Sequence, residues 1–267
     1  MSDSTLMPVL FVGHGSPMNA IEDNRFSRTW RQVGESLPRP RAILCVSAHW
    51  ETQGTGVTTM AQPRTIHDFG GFPRALYEVE YPAPGSPELA ARVKEIVNST
   101  DVVLDEGWGL DHGCWSVLRQ MYPQAEIPVV QLSLDYARPA QFHYDLGREL
   151  APLRREGVLI LASGNLVHNL GRVVVRNFDL TGFNEEFGLP WTLEASALLK
   201  KLIDARDHAS LIDYSTLGMA VRLAVPTPEH YLPALYALAL QGENEKVSYF
   251  NDLPVAGSLT MTGFVIQ

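Results

Sequence analysis

Short apolar runs that alternate with helical patterns constrain the fold of this chain more than any other feature. Runs without polar alternation, such as Val158-Leu159-Ile160-Leu161-Ala162, are typical of strands buried on both faces of a sheet. Strands are predicted over residues 7–13, 41–48, 55–60, 100–105, 127–134, 157–163 and 258–266. Helices are predicted over residues 19–34, 86–99, 114–122, 139–155, 191–206 and 229–241. This alternation predicts an α/β fold whose central mixed, mostly parallel sheet is covered by helices on both faces.

The domain organisation follows from length and from the absence of a linker pattern. A chain of 267 residues can form one large α/β domain or two small ones. The turn-like stretch at residues 82–87 passes directly into a helix, with Ser86 as the N-cap and Pro87 as the first helical residue. We therefore expect a single catalytic domain over residues 1–267. The weakest pattern, at residues 178–184, predicts a long loop beside the functional site.

Charge and cysteine usage narrow the class of protein. The net charge of -9 and the pI of about 5.3 argue against nucleic acid or an anionic membrane as the main partner, because both require a positive face. No run approaches the roughly 18 apolar residues of a membrane span. The only cysteines, Cys45 and Cys114, form no CxxC pair and no disulfide framework. We expect a cytoplasmic enzyme that acts on a small molecule, as a monomer or a small homo-oligomer.

Two of the predicted buried strands end at a histidine. His14 follows the strand at residues 7–13 and lies between Gly13 and Gly15, and His49 follows the strand at residues 41–48. Ligands collect at the carboxyl ends of strands in α/β sheets, and imidazole is the commonest metal ligand and a frequent general base. One such histidine would more often cap a helix or bind a backbone carbonyl. Two on one rim indicate a pair of ligands.

A third candidate ligand lies in the stretch from Pro226 to Pro233. Thr227 and Pro228 predict a helix start, which places His230 in the first turn. The positive end of the helix dipole disfavours imidazolium there and leaves a lone pair available for a metal. An exposed first-turn histidine fits the segment equally well. Glu229 is a rival ligand one position away.

Two further histidines follow predicted turns or strands. His168 comes after the strand at residues 157–163 and would serve as a fourth ligand, a proton carrier or a polar residue satisfied by nearby backbone. His112 follows Asp111, which either orients a ring or caps a helix that starts near Cys114. Capping is favoured, because aspartate is a preferred N-cap residue. A thiol nucleophile at Cys114 is disfavoured, since this spacing from a histidine more often reflects packing.

The remaining histidines carry weaker signals. His67 and Asp68 lie in an aromatic, glycine-rich stretch that would suit a substrate pocket, although a packed loop has the same composition. His143 and His208 lie among polar helical residues and are expected to face solvent. The sequence has no GxSxG, GxxxxGK[ST], GxGxxG or HExxH motif, which removes most support for the corresponding hydrolase, phosphoryl-transfer, dinucleotide and metalloprotease functions.

Six strings in one order resemble the class III extradiol ring-cleaving dioxygenases, most closely the 4,5-DOPA extradiol dioxygenase branch. The strings are Gly13-His14-Gly15-Ser16-Pro17, Ser47-Ala48-His49-Trp50, Thr65-Ile66-His67-Asp68-Phe69, Asp111-His112-Gly113, Ser163-Gly164-Asn165-Leu166-Val167-His168-Asn169 and Thr227-Pro228-Glu229-His230-Tyr231-Leu232-Pro233. Each string alone is a weak signal. Together they span nearly the whole chain, and the resemblance implies one domain with a mononuclear metal site.

The resemblance also implies a ligand set for that metal. His14 and His49 match the two amino-terminal ligands of the family. Classical members supply a glutamate as the third ligand. The resemblance to the DOPA-like branch implies a histidine in its place, which is His230 in this chain. Glu229 stays open as a competitor at this point, because it adjoins that histidine.

The same resemblance implies roles for two histidines in proton transfer. His168 matches the catalytic base of the family, and His112 matches a second histidine that assists proton transfer and oxygen binding. Ring cleavage beside a diol requires a metal with open positions and a group that can act as base and then as acid. The implied substrates are a catechol and O2.

Three hypotheses for the function remain, namely an extradiol dioxygenase, a zinc-dependent hydrolase and a non-catalytic metal-binding protein. One mononuclear Fe(II) fits ring cleavage, whereas three histidines also suit Zn(II), which generally binds such sites more tightly than Fe(II). A zinc-dependent hydrolase would use the same three histidines with a bound water. A non-catalytic metal-binding protein would not need His112 or His168.

Overall fold

An eight-stranded mixed sheet with helices on both faces organises the chain. The computed structural model describes residues 6–175 and 183–267. Of the loop predicted at residues 178–184, positions 178–182 lie outside the described residues. The strands are β1 (Val9–Gly13), β2 (Ala42–Thr52), β3 (Thr55–Thr58), β4 (Val102–Asp105), β5 (Val129–Asp135), β6 (Val158–Gly164), β7 (Val247–Phe250), β8 (Pro254–Val255), β9 (Leu259–Thr260) and β10 (Gly263–Ile266). The helices are α1 (Arg25–Ser36), α2 (Arg74–Tyr77), α3 (Pro87–Ile96), α4 (His112–Met121), α5 (Ala140–Glu149), α6 (Ala151–Arg155), α7 (Pro190–Asp204), α8 (His208–Ile212), α9 (Met219–Ala224) and α10 (Leu232–Ala239).

The sheet has the strand order β4-β3-β5-β2-β6-β1-β10-β7. Its four central strands, β5, β2, β6 and β1, are parallel to one another, and β3 is parallel to β4. The pairs β1–β10, β10–β7 and β3–β5 are antiparallel. The predicted mixed, mostly parallel sheet is confirmed. A separate two-stranded sheet joins β8 to β9.

Alternate residues of the central strands enter two different hydrophobic layers. In β2, Leu44 and Val46 face the layer formed with α3, α5, α7 and α10, whereas Ile43 and Cys45 face the layer formed with α1 and α4. All four side chains are completely buried. A strand buried on both faces needs apolar residues at every position, which explains the continuous apolar runs in the sequence. The predicted helical cover on both faces is confirmed.

Element boundaries differ from the predictions where local chemistry interrupts a pattern. The helix predicted over 19–34 is a 3-10 turn at Pro17–Ala20 followed by α1, because Asn24 caps α1 with its side chain. The helix predicted over 139–155 divides at Leu150 into α5 and α6, and Pro152 lies in the first turn of α6. The strand predicted over 258–266 divides into β9 and β10.

Two histidines predicted to face solvent are packed into the protein. His143 is completely buried, and its Nδ1 atom lies 3.1 Å from the Tyr236 hydroxyl. His208 is half-buried and lies 2.9 Å from the Tyr144 hydroxyl. The polar residues around them in the sequence lie on other faces of their helices, so local composition was misleading. Within the described ranges, none of the helices is long and apolar enough to cross a membrane. That a single catalytic domain spans residues 1–267 stays a prediction.

Candidate metal centre

Five histidines line one cavity at the carboxyl ends of the parallel strands. The cavity has a volume of about 700 Å³. The five are His14, His49, His112, His168 and His230. Strand ends in an α/β sheet bring residues that are distant in sequence to one rim, as the sequence predicts for His14 and His49.

His49 reaches the cavity from a bulge within strand β2, because the strand continues beyond this residue. The predicted strand end at Ala48 is wrong, since β2 continues to Thr52. Its register with β5 shifts between Val46 and Glu51, so the irregularity encloses His49. A bulge re-aims a side chain relative to the sheet, which lets His49 reach a cavity bordered by the residue after β1.

Three of these histidines have the spacing of a metal-binding set. Ligand atoms of His14, His49 and His230 all lie within 4.8 Å of one another. The Nε2 atoms of His14 and His49 are 3.0 Å apart. Such a close approach of ring nitrogens suits an ion between them.

The tautomer of His14 follows from its neighbours. The Ser163 hydroxyl donates its only proton to the carbonyl oxygen of Gly113, at 2.6 Å. The same Ser163 oxygen lies 3.1 Å from Nδ1 of His14 and can only accept there. His14 therefore carries its proton on Nδ1, and the lone pair on Nε2 faces His49.

Glu229 supports His230 from behind. Its Oε1 atom lies 3.0 Å from Nδ1 of His230 and accepts a 2.9 Å hydrogen bond from the Thr227 hydroxyl. Burial alone would raise the pKa of Glu229, but the hydrogen bonds from His230, from backbone and from Thr227 lower that pKa to about 2. An ionised Glu229 accepts the Nδ1 proton, which leaves Nε2 of His230 available. Glu229 does not line the cavity.

The helix predicted to start at Thr227 starts later. The first helical residue of α10 is Leu232, and His230 lies in the preceding turn. Thr227 donates its hydroxyl proton to Glu229 and does not cap a helix, whereas Pro233 occupies the first turn of α10. The pKa of His230 is lowered mainly by burial, against the opposing effect of Glu229.

Asp68 joins His112 to the candidate ligands. Its Oδ1 atom accepts the backbone N–H of His112 at 2.8 Å, and its Oδ2 atom lies 2.8 Å from the His112 Nδ1 atom. The same Oδ2 atom is 3.4 Å from Nδ1 of His49. Asp68 lines the cavity, as the pocket prediction expects of it. His67 does not, because its Nε2 atom lies 3.0 Å from the Val79 carbonyl oxygen. For His67 the structure differs from the prediction.

His168 stacks on His230. The two rings are 3.5 Å apart between centroids and inclined by only 8°. The backbone N–H of His168 donates to the Ala224 carbonyl oxygen, which fixes the loop after β6. Burial and the neighbouring His230 lower the pKa of His168 to about 3, so its imidazole is neutral at pH 7.

Burial keeps the candidate ligands neutral as well. It lowers the pKa values of His14 and His49 well below their usual range, and the surrounding imidazoles lower them further. Neutral imidazole is the form that binds metals. A set of three such nitrogens, each with its Nδ1 atom next to an oxygen, fits one divalent transition metal.

Asp111 caps helix α4, which confirms the favoured prediction. Its Oδ1 atom accepts the backbone N–H of Cys114, and the helix begins at His112. Ser47 and Gln131 donate to the same carboxylate. Cys114 is completely buried, and burial raises the pKa of its thiol well above the usual value. A thiol nucleophile is therefore excluded on physical grounds.

The rest of the cavity wall is apolar and partly aromatic. The larger apolar side chains that line it are Phe69, Phe72, Leu170, Val173, Phe183 and Leu259. The sequence predicts part of this wall, because Phe69 and Phe72 lie in the aromatic, glycine-rich stretch and Phe183 lies in the loop expected beside the site. It gives no signal for Leu170, Val173 and Leu259, which come from separate loops and a short strand. Sequence reasoning missed Ser163, although a serine at the end of a buried apolar strand was a visible signal.

The chain matches a family of known proteins over most of its length. The family profile described as the catalytic LigB subunit of aromatic ring-opening dioxygenase matches residues 8–256. The chain belongs to this family. The resemblance to extradiol dioxygenases is confirmed, and the LigB-family chain is a dioxygenase.

Relatives of this LigB-family chain are similar over nearly their whole lengths. A protein of Escherichia coli (strain K12) named 4,5-DOPA dioxygenase extradiol is 49% identical over 265 residues, which cover 97% of this chain and 94% of that protein. A Beta vulgaris protein of the same name is 37% identical over 258 residues, which cover 94% and 93%. The crystal structure of an uncharacterized Escherichia coli K12 protein has a TM-score of 0.81 and 41% identity, and covers 98% of this chain and 100% of that one.

Proposed function

We propose that this dioxygenase cleaves the aromatic ring of a catechol beside its diol, with O2, in a reaction that depends on one metal ion. The observation that carries the proposal is the set of His14, His49 and His230, whose ligand atoms lie within 4.8 Å of one another. When bound, Fe(II) would supply open coordination positions for both substrates and a route for electrons between them.

Fe(II) is the proposed catalytic metal, and Zn(II) is the competing ion. Three neutral ligands leave a divalent site with a charge of +2, which favours an anionic catecholate. A carboxylate ligand would lower that charge to +1. The hydrogen-bonded position of Glu229 behind His230 supports the all-histidine set.

His168 is the proposed base, and His112 its assistant. His168 lines the cavity and stacks on His230, which places its imidazole where it can accept a proton from a catechol hydroxyl. It returns that proton later in the cycle. His112, held by Asp68, faces the same cavity and takes part in proton transfer and in orienting O2.

A DOPA-like catechol is the proposed substrate. The names of the two relatives support that choice, and a cavity of about 700 Å³ with an aromatic wall accommodates a single substituted ring. Cys45 and Cys114 are buried free thiols, which supports a cytoplasmic location. Whether the enzyme is a monomer or a small homo-oligomer stays a prediction.

Anaerobic reconstitution tests the function. The metal-free protein is loaded with Fe(II), mixed with DOPA or another catechol, and exposed to air. We expect oxygen uptake and a yellow ring-opened product with Fe(II), and no uptake with Zn(II). Absence of oxygen uptake across a panel of catechols would refute the proposal.

The same metal-loaded protein also tests the two other hypotheses, a zinc hydrolase and a non-catalytic metal-binding protein. Zinc-loaded protein that hydrolyses esters or amides without O2 would favour the hydrolase. His112→Ala and His168→Ala are expected to slow turnover while the metal content stays near one ion per chain. If wild-type protein binds metal and turns over neither class of substrate, the non-catalytic function is favoured.

A further inference from the structure

We propose that Asp68 is a positioning residue, which fixes the tautomer and orientation of His112 beside the candidate ligand His49. This inference rests on the proposed function for its catalytic consequence. Its structural part, the tautomer of one histidine, is testable in the metal-free protein.

The Asp68 carboxylate contacts both the backbone and the ring of His112. One oxygen accepts the backbone N–H, and a backbone N–H can only donate. The other oxygen faces Nδ1 of the ring at 2.8 Å. An ionised carboxylate has no proton to give, so Nδ1 of His112 is the donor. The Nε2 atom of His112 consequently bears the lone pair.

The same carboxylate lies against a candidate metal ligand. Its Oδ2 atom is 3.4 Å from Nδ1 of His49, and the His49 and His112 rings are 3.9 Å apart between centroids. One side chain therefore borders both a ring proposed to hold metal and a ring proposed to handle protons.

The loop that carries Asp68 is anchored independently of the histidines. The backbone N–H of Ile66 donates to the Leu110 carbonyl oxygen at 2.7 Å, and the indole of Trp115 donates to the Ile66 carbonyl oxygen at 2.8 Å. The Asp68 side chain is only 15% exposed. An anchored and shielded carboxylate can hold a ring, whereas an exposed one would exchange its partner for water.

Replacement of Asp68 by asparagine tests the hydrogen bonding of this side chain without changing its size. The amide of Asp68→Asn keeps the size of the side chain, but only its oxygen atom can accept a hydrogen bond. If that oxygen keeps the His112 backbone N–H, the amide nitrogen faces Nδ1 and donates to it. The His112 proton then moves to Nε2, so that this atom presents a hydrogen-bond donor to the cavity in place of a lone pair.

The first measurement is nuclear magnetic resonance of metal-free protein with 15N-labelled histidine, in which His112→Gln identifies the signal. We expect a proton on Nδ1 of His112 in the wild type and on Nε2 in Asp68→Asn. Asp105→Asn is the matched control, because the Asp105 carboxylate likewise accepts backbone N–H hydrogen bonds, from Gly107 and Trp108, but lies outside the cavity. An unchanged His112 tautomer in Asp68→Asn would overturn the proposal.

The second measurement is steady-state turnover of a catechol by Fe(II)-loaded variants. We expect Asp68→Asn to lower kcat about 10–100-fold, with a smaller change in KM and an unchanged metal content. The double variant Asp68→Asn/His112→Ala should be no slower than His112→Ala alone, because Asp68 acts through that ring.

The alternatives give different results. Multiplicative effects in the double variant, or loss of metal from Asp68→Asn, would contradict positioning of His112. If the wild-type enzyme turned over no catechol, the proposed function would fail, and the tautomer of His112 would still decide the role of Asp68.

Discussion

Each of the three candidate ligand rings has an oxygen atom close to its Nδ1 atom. Ser163 lies behind His14, and Glu229 lies behind His230. The Asp68 carboxylate lies 3.4 Å from His49. The hydrogen-bonded partners, Ser163 and Glu229, select the tautomer and raise the basicity of the coordinating nitrogen. At the scale of single residues, the site therefore depends on side chains that do not themselves face a metal.

Loss of the Ser163 hydroxyl should weaken metal binding. Ser163→Ala leaves Nδ1 of His14 without an acceptor in a buried site, so we expect the affinity for Zn(II) to fall about 10–100-fold. Titration with a chelating competitor measures it. Ser116→Ala is the control, because the buried Ser116 hydroxyl has no hydrogen-bond partner among the described residues. Equal affinities in the two variants would contradict the expectation.

Substitutions of Glu229 distinguish a supporting residue from a ligand. Glu229→Gln retains an oxygen that can accept the Nδ1 proton of His230, so we expect metal affinity close to that of the wild type. Glu229→Ala removes the acceptor and should weaken binding about 10–100-fold. Competition titration of both variants checks this. If Glu229 were the third ligand, glutamine would lose most of the affinity as well.

At the scale of elements, close backbone approaches assemble the site. The end of β6 meets the turn before α10, where the backbone N–H of Asn165 donates to the His230 carbonyl oxygen at 2.8 Å. A Cβ atom at Gly164 would lie 2.2 Å from that oxygen. Only glycine permits this contact, which brings His230 to the strand that precedes His168.

Gly164→Ala should displace His230. The added methyl group overlaps the His230 carbonyl oxygen, so we expect a loss of about 1–3 kcal/mol in the free energy of unfolding together with weaker metal binding. Urea unfolding and metal titration measure the two effects. Gly107→Ala is the control, because its new Cβ atom would have no neighbour closer than 3.8 Å. Wild-type metal affinity in Gly164→Ala would show that the turn adapts freely.

At the scale of the whole molecule, the protein buries several histidines in their neutral form. Burial lowers the pKa values of His14 and His49 well below normal, that of His143 to about 4 and that of His168 to about 3. Each regains its ordinary pKa of about 6.5 when the chain unfolds. Between those values the unfolded chain binds more protons than the folded chain, so stability rises with pH.

Acid should therefore destabilise the metal-free protein before its carboxylates titrate. The histidine contribution is complete above about pH 6.5 and declines as the pH falls toward 4. We expect Tm to fall on the order of 10 °C between pH 7.5 and 5.5. Thermal unfolding followed by circular dichroism measures it. A Tm that stays level across this interval would contradict neutral burial of these rings.

Features that depend on near neighbours can be predicted from the amino-acid order alone. Continuous apolar runs specify strands buried on both faces, which is why β1, β5 and β6 and the two helical layers could be predicted. Asp111 was identifiable as a cap, because its partner Cys114 is three residues away. His14 was identifiable because it follows a buried strand directly.

Which side chains face one another depends on the three-dimensional fold. The partner of His14 is Ser163, 149 positions away, and the partner of His112 is Asp68, 44 positions away. The bulge that aims His49 appears only in the pairing of β2 with β5. Propensity and periodicity act over a few residues, whereas these contacts depend on the order and register of strands. The histidines were therefore visible in the sequence, but the pairing of His14 with Ser163 and of His112 with Asp68 was not.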